Sequence, residues 1–437
     1  MVPSIPGLED LEKAIKETNN SSPGPDGIPF SAYRATLKHA APVLKLVLNS
    51  LAAGVLPPDG YNDGLLFLIS KKGTLLPSDT RPISITNADN RIIAKAVVSA
   101  ITPALCAVLH PSQKGFIQGR VFEDHIRELN ENFYEIAEGS DEDRGDYFIL
   151  FMDTAKAFDS VDHAFIHEAV KRIGLPCWFR KLVVCLLHNV RVRPAFRGAP
   201  EVWIDICRGV KQGCPLSPIL FVICYDVLLS RIGSLPQVKP YACADDLAIA
   251  TRHFLKLWQP MRLVDLFRDA SGLGINIDKT NIISARYNPS LSTYVSSCPW
   301  PDVKTPDMAI YLGILFGRMV TAADVFNVPI TRLVDRMSSM ITTIKGLSHA
   351  KRVLAYNVFI VTLISYHIKF FHLPYTIAST GGAEGIIQTE ARRLIHYHNG
   401  SAYSYVFLIS PLDRVGPSPP SLMPGPSPSP RWPLRPT

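Results

Sequence analysis

Residues 147–163 read Tyr147-Phe148-Ile149-Leu150-Phe151-Met152-Asp153-Thr154-Ala155-Lys156-Ala157-Phe158-Asp159-Ser160-Val161-Asp162-His163. The run from Tyr147 to Met152 is short and wholly apolar, which predicts a central strand buried on both faces. Asp153 stands where that strand ends, so its carboxylate would sit on a rigid support. Far downstream, Tyr241-Ala242-Cys243-Ala244-Asp245-Asp246-Leu247-Ala248-Ile249-Ala250 places two more carboxylates between apolar runs. Ala248 to Ala250 continues as a strand out of Asp245-Asp246.

Working outward, Leu8 to Asn19 has apolar residues at Leu8, Leu11 and Ile15 and reads as an amphipathic helix. Ser21-Ser22-Pro23-Gly24-Pro25-Asp26-Gly27 is a turn-rich loop. Helices are expected over Phe30–Ala53, Arg91–Ala107, Phe165–Ile173, Phe179–His188, Pro218–Ile232 and Leu257–Gly272. Leu65–Ile69 is a strand candidate, Val192–Phe196 and Val202–Ile206 form a hairpin candidate, and Ile275–Ala285 is strand-like around Lys279. From about Val325 the pattern turns to helices over Ile330–Leu347, Lys351–Phe371 and Glu384–His396. The segment Pro411–Pro436 repeats Pro-Ser and Pro-Gly without an apolar period, which predicts disorder. The order is mixed α/β (α+β), then all-α, then a loose tail.

A formal charge of +7 and a pI near 8.9 suit a partner that carries phosphates, and equally a mildly basic enzyme. The eight cysteines form no CxxC pair, so neither a zinc knuckle nor a disulfide framework is indicated and a reducing compartment is expected. Met1-Val2-Pro3-Ser4 opens no signal peptide pattern, and the apolar stretch Val353–His367 reads as a buried helix rather than a membrane span. The expected location is therefore intracellular, nucleus or cytoplasm, with no membrane partner and no secretion.

Separated carboxylates on strands suit phosphoryl transfer, which uses two divalent cations about 3.5–4 Å apart. Mg²⁺ takes oxygen ligands and retains waters, so two or three aspartates plus substrate phosphates suffice. An isolated Asp-Asp pair is more often a solvated turn; the surrounding blocks and their order carry the case. Ser22-Pro23-Gly24-Pro25-Asp26-Gly27, Ile69-Ser70-Lys71 with Arg81-Pro82-Ile83-Ser84, and Gln113-Lys114-Gly115-Phe116 with Gly119-Arg120 come first. The Asp153 block follows, then Gly209-Val210-Lys211-Gln212-Gly213-Cys214-Pro215-Leu216-Ser217-Pro218 and Ala244-Asp245-Asp246. Gly272-Leu273-Gly274-Ile275-Asn276 with Lys279-Thr280, and Tyr311-Leu312-Gly313, complete the series. In this order the blocks resemble the reverse transcriptases of non-LTR (LINE-like) retroelements and, more distantly, those of group II introns. The resemblance covers roughly Ser21 to Leu373.

That resemblance implies a right-hand polymerase fold with fingers (21–144), palm (145–320) and a helical thumb (325–400), flanked by an N-terminal extension (1–20) and a Pro-rich disordered tail (411–437). It implies RNA-templated extension of a DNA primer from deoxynucleoside triphosphates, with Asp153, Asp245 and Asp246 holding two Mg²⁺ ions, or Mn²⁺ in their place. Lys71 and Arg81 would clamp the triphosphate, Phe158 would exclude a 2′-hydroxyl, and Gln212-Gly213 would track the inserting base pair. Lys279 would protonate the pyrophosphate. Leu312-Gly313 would belong to the grip on the primer end, or else form a tight strand turn. Asp159 and Asp162 are expected to be structural or solvated. Lys345, Lys351 and Arg352 are available for backbone contacts.

One position departs from the family pattern: Cys243 stands where an aromatic residue usually precedes the Asp-Asp pair by two places. Family members usually carry an endonuclease and often a zinc knuckle; with about twenty residues before the opening loop, the chain reads as a truncated element or a gene model that has run out of its original frame. Two rivals remain at this stage. An RNA-dependent RNA polymerase shares the palm, but its third block normally begins with glycine rather than Ala244, and Phe158 opposes it. A decayed, non-enzymatic remnant that binds nucleic acid is the other. Template, target site and oligomeric state are left open by the sequence.

Overall fold

The apolar run that ends at Asp153 is a strand whose first five residues are all buried. Burying each large apolar side chain is worth about 1.5–3 kcal/mol, an upper figure because unfolded chains already hide some surface. That gain fixes the strand in the interior and leaves its last residue at the edge. The computed structural model that shows this describes residues 2–71, 80–139, 145–196, 198, 202–343 and 346–371. The expected helix at 384–396, the tail at 411–437 and Lys345 lie outside the described residues.

Among the described residues ten strands follow in chain order: β1 (Gly64–Ser70), β2 (Thr80–Thr86), β3 (Phe148–Asp153), β4 (Arg191–Pro194), β5 (Ile204–Asp205), β6 (Lys239–Cys243), β7 (Asp246–Thr251), β8 (Asn281–Ser284), β9 (Met308–Tyr311) and β10 (Ile314–Gly317). The chain divides into two compact units. The first comprises residues 1–122, 149–281 and 291–304. In it β1 pairs antiparallel with β2 and parallel with β4, and β4 pairs antiparallel with β5 as the hairpin reading expects. A second group of strands lies in the order β6, β7, β3. Helix Ser217–Gly233, buried along most of its length, packs against His163–Arg172 and Trp258–Ser271. An aromatic column threads this core: Phe158 stacks on Phe221 at 5.0 Å, Phe221 on Tyr225 at 5.4 Å, and Tyr225 meets Phe267 edge-on at 5.9 Å. Helix Ala88–Val108 has the length and apolarity of a membrane span, yet Ile92, Ile93, Val97, Ile101 and Leu105 are all buried within the protein.

The second unit comprises, among the described residues, those within 123–148, 282–290 and 305–371. Helix Glu123–Glu138 buries Ile126, Leu129, Phe133 and Ile136, a helical period that a motif-led reading passes over. The β9–β10 hairpin and the helices Ala322–Thr343, His349–Tyr356 and Thr362–Ile368 complete it, with a π-turn at Asn357–Val361 between the last two.

Two local expectations are corrected. The helix expected over Phe30–Ala53 breaks into Phe30–Ala35 and Leu37–Ala53 because Thr36 leaves the helical region at φ −105°, ψ 24°. The strand expected from Ile275 begins only at Asn281, after a 3₁₀ turn at Ile277–Lys279. Its cause lies in the site: the Asn276 N–H donates to the Asp153 carbonyl at 2.8 Å, bending the chain towards that aspartate.

Candidate active site

β6 and β7 form a hairpin whose last pair is Cys243 with Asp246, so Ala244-Asp245 alone make the turn. Ala244 sits at φ +59°, the left-handed region that costs a non-glycine residue about 1–2 kcal/mol. Two side chains hold this turn. Gln113, fully buried, accepts from the Ala244 N–H at 2.8 Å and donates to its carbonyl at 3.2 Å. The Thr154 hydroxyl donates to the Asp245 carbonyl at 3.0 Å and lies 3.3 Å from the buried Tyr225 hydroxyl. Asp153, on β3 beside β7, is thereby brought to the same place as Asp245 and Asp246.

The three carboxylates act on one another electrostatically. Burial, then the neighbouring Asp245 and Asp153, push the Asp246 carboxyl up to about 6 against the opposing pull of Lys279. Burial and Asp153 likewise raise Asp245, while Arg81 and Lys279 hold it down. Lys279 donates to Asp153 Oδ2 at 2.9 Å. Being 64% exposed, that ammonium is a weakly held counter-ion, worth under about 1 kcal/mol. The donor set is therefore three oxygen anions that repel one another and already attract a cation, which fits divalent ions such as Mg²⁺. Among the described residues no group of three or more His, Cys, Asp or Glu side chains is placed to hold a metal ion by itself, the three aspartates included. Any ion held here needs further oxygens from water, backbone or substrate phosphate.

Lys71, Arg81, Phe158, Gln212 and Gly213 also lie in the first unit. Arg81 pairs across from Ile69 near the end of the β1–β2 hairpin, and Lys71 follows β1. Lys71 and Lys156 pull the Asp159 carboxyl down, although burial wins and raises it. Gln212 donates to Asp159 Oδ1 at 3.1 Å, and its carbonyl accepts from Ser84 N–H at 2.7 Å. Asp162 caps helix His163–Arg172 by accepting from the Ala164 N–H, a structural role as expected. Phe158 lies half-buried between Phe221 and the edge of the exposed Phe116 ring, 5.9 Å away.

Gly213 makes a close approach within the chain. At φ +119° its missing side chain leaves room for the Ser84 carbonyl, which would lie 2.7 Å from a Cβ. The close approach it permits is thus to β2 of the same chain. Leu312 and Gly313 belong to the second unit, where both have positive φ in the two-residue β9–β10 turn. They make the tight strand turn given as one alternative, pinned by the Tyr366 hydroxyl donating to the Leu312 carbonyl at 2.6 Å. Gln113 and Thr154 are the functional positions that carry no assigned role in the sequence reading. Their only signal was membership of a matched block.

Two carboxylate-bearing strand ends, with Lys279 paired to Asp153, make up the candidate site. Residues 69–316 match the family model described as reverse transcriptase (RNA-dependent DNA polymerase). The chain belongs to that family, and the non-LTR resemblance read from its motifs holds.

It is 31% identical over 290 residues to a retrovirus-related Pol polyprotein from a type-1 retrotransposable element R2 of Popillia japonica, covering 63% of this chain and 39% of that one. It is 29% identical over 335 residues to the type-2 R2DM polyprotein of Drosophila melanogaster, covering 70% and 30%. A probable RNA-directed DNA polymerase from transposon X-element of the same fly is 26% identical over 333 residues, covering 72% and 35%. The chain thus spans well under half the length of these relatives. Among solved structures, apo telomerase from Candida Tropicalis truncated from its C-terminal domain aligns at a TM-score of 0.43 and 13% identity, covering 64% of this chain and 59% of that one.

Proposed function

We propose that this chain is an RNA-directed DNA polymerase that extends a DNA primer on an RNA template. The observation that carries the reading is the convergence of Asp153, Asp245 and Asp246 on adjoining strand ends with Lys279 as their counter-ion. In this reading the β1–β2 hairpin serves as fingers, the β6, β7 and β3 strands as palm, and the helices from Ala322 onward as thumb.

Two divalent cations, Mg²⁺ in the first instance, would be held by Asp153, Asp245 and Asp246 and would supply nucleophile activation and charge neutralisation at the leaving group. The chain's own residues do the rest. Arg81 and Lys71 hold the triphosphate, the first as a planar fork and the second as a mobile point charge. Phe158, backed by Phe221, fills the space that a 2′-hydroxyl would need. Gln212 leaves Asp159 to meet the inserting pair. The primer 3′-oxygen bonds to the α-phosphorus while the bond from that phosphorus to the bridging oxygen breaks. The 3′-hydroxyl proton goes to solvent, and Lys279 releases Asp153 and gives its proton to the departing pyrophosphate.

Primer extension by the purified chain tests this directly. Asp153→Asn should abolish extension while folding and nucleic-acid binding persist. Template-primer binding without any extension by the parent chain would point instead to a remnant that only binds.

A further inference from the structure

We propose that Gln113 is a positioning residue that sets the aim of the Asp245 and Asp246 carboxylates; the inference rests on the polymerase reading above. Only Ala244 and Asp245 lie between the paired residues Cys243 and Asp246, so the two peptide planes of Ala244 decide where both carboxylates point. Ala244 holds a left-handed conformation that an alanine leaves unless it is restrained. One side chain restrains both planes. Gln113 Oε1 accepts from the Ala244 N–H and Gln113 Nε2 donates to the Ala244 carbonyl, at 2.8 and 3.2 Å. The same Oε1 accepts from the Gly115 N–H at 2.8 Å, which fixes the amide's orientation. A methyl at Gly115 would strike the Ala244 amide nitrogen, so the loop can lie this close only with glycine there.

The clamp is itself anchored. Segment 112–114 runs alongside β6, with the Ala242 N–H donating to the Ser112 carbonyl at 2.9 Å and the Lys114 N–H to the Ala242 carbonyl at 2.8 Å. The Arg120 guanidinium donates to the Gln113 and His110 carbonyls at 2.8 and 2.7 Å, and to those of Cys106 and Leu109 at 3.0 and 2.9 Å. It thereby ties the Gln113 loop to the C-terminal carbonyls of the core helix Ala88–Val108. The motif block from Gln113 to Arg120 therefore acts from beneath the catalytic turn. Gln113 is uncharged and bonds only to backbone, so its effect reaches the reaction through the carboxylates it aims.

The test uses the full chain and its Gln113→Met and Gln113→Glu variants, with three readouts. Amide hydrogen exchange of the peptide containing Ala244, measured without metal, should be at least about tenfold faster in Q113M. Mn²⁺ affinity, read by titration without nucleic acid, and kcat should both fall roughly 10- to 100-fold, the range for a lost supporting partner. KM for the nucleotide should stay close to the parent's, while the melting temperature falls because three backbone groups lose their partner. Q113E keeps the acceptor for both N–H groups and loses the donor, so it should retain amide protection and lose about tenfold in Mn²⁺ affinity. If Q113M fails to fold, that Q113E comparison decides. Parental Mn²⁺ affinity and kcat in a folded variant would overturn the proposal. A parent chain that protects Ala244 and whose Mn²⁺ affinity falls on Gln113 substitution, but that extends no primer, would sink the polymerase reading and leave the clamp standing.

Discussion

Asp246→Asn should make the metal-free protein more stable, although it removes a residue of the candidate site. Burial and the charges of Asp245 and Asp153 raise the Asp246 carboxyl from 3.8 to about 6. An acid with a raised folded-state pKa binds its proton more tightly in the folded chain than in the unfolded one. Its contribution to stability is therefore full below about pH 4 and is lost as pH rises through about 6. A shift of roughly two pH units corresponds to about 3 kcal/mol at 1.36 kcal/mol each. Solvent screening of this half-buried group reduces the figure to about 1–2 kcal/mol. Asparagine has the same shape without the charge, so packing changes little and that cost disappears.

Unfolding in EDTA across pH checks this. At pH 7.5 the variant should melt roughly 2–6 °C above the parent for a unit of this size. At pH 4, where the parent's carboxyl is also neutral, the two should coincide. Adding Mn²⁺ should then raise the parent's midpoint and leave the variant's nearly unmoved, because ligand stabilisation requires binding to the folded state. An Asp246→Asn variant less stable than the parent at pH 7.5, or a gain equally large at pH 4, would refute the repelling carboxylate cluster.

Three further outcomes follow from individual contacts. Phe158→Ala should admit ribonucleotides with a smaller effect on deoxynucleotides in a single-nucleotide incorporation assay; undiminished exclusion would place the sugar gate elsewhere. Lys279→Met should lower kcat about 10²- to 10⁴-fold, the range for one proton transfer, whereas a loss under about threefold would leave Lys279 as a counter-ion only. Gly213→Ala should cost about 1–3 kcal/mol in urea unfolding, because a Cβ there meets the Ser84 backbone at 2.7 Å in a conformation that alanine rarely adopts.

What could be read from the sequence divides along a physical line. The candidate carboxylates are legible because the proposed reaction restricts residue type: Asp153, Asp245 and Asp246 stand out once the ordered blocks around them are read. Helix Ser217–Gly233 is legible for a similar reason, since its apolar residues run all round and permit only a buried place. The break at Thr36 carries no glycine or proline to mark it. The turn at Ile277–Lys279 is imposed by Asp153, more than a hundred positions away in the chain (|i−j| 126 for its contact with Lys279). Gln113 is the extreme case, for its partner Ala244 lies 131 positions downstream. A buried amide that aims a turn and a solvated amide on a surface are the same letter in a sequence. Only the strand alignment that brings 112–114 alongside β6 distinguishes them. Chemistry constrains which residues can react, whereas support constrains only geometry, and several residue types can often provide it. The motif block from Gln113 to Arg120 acquires its meaning when the fold shows what it holds.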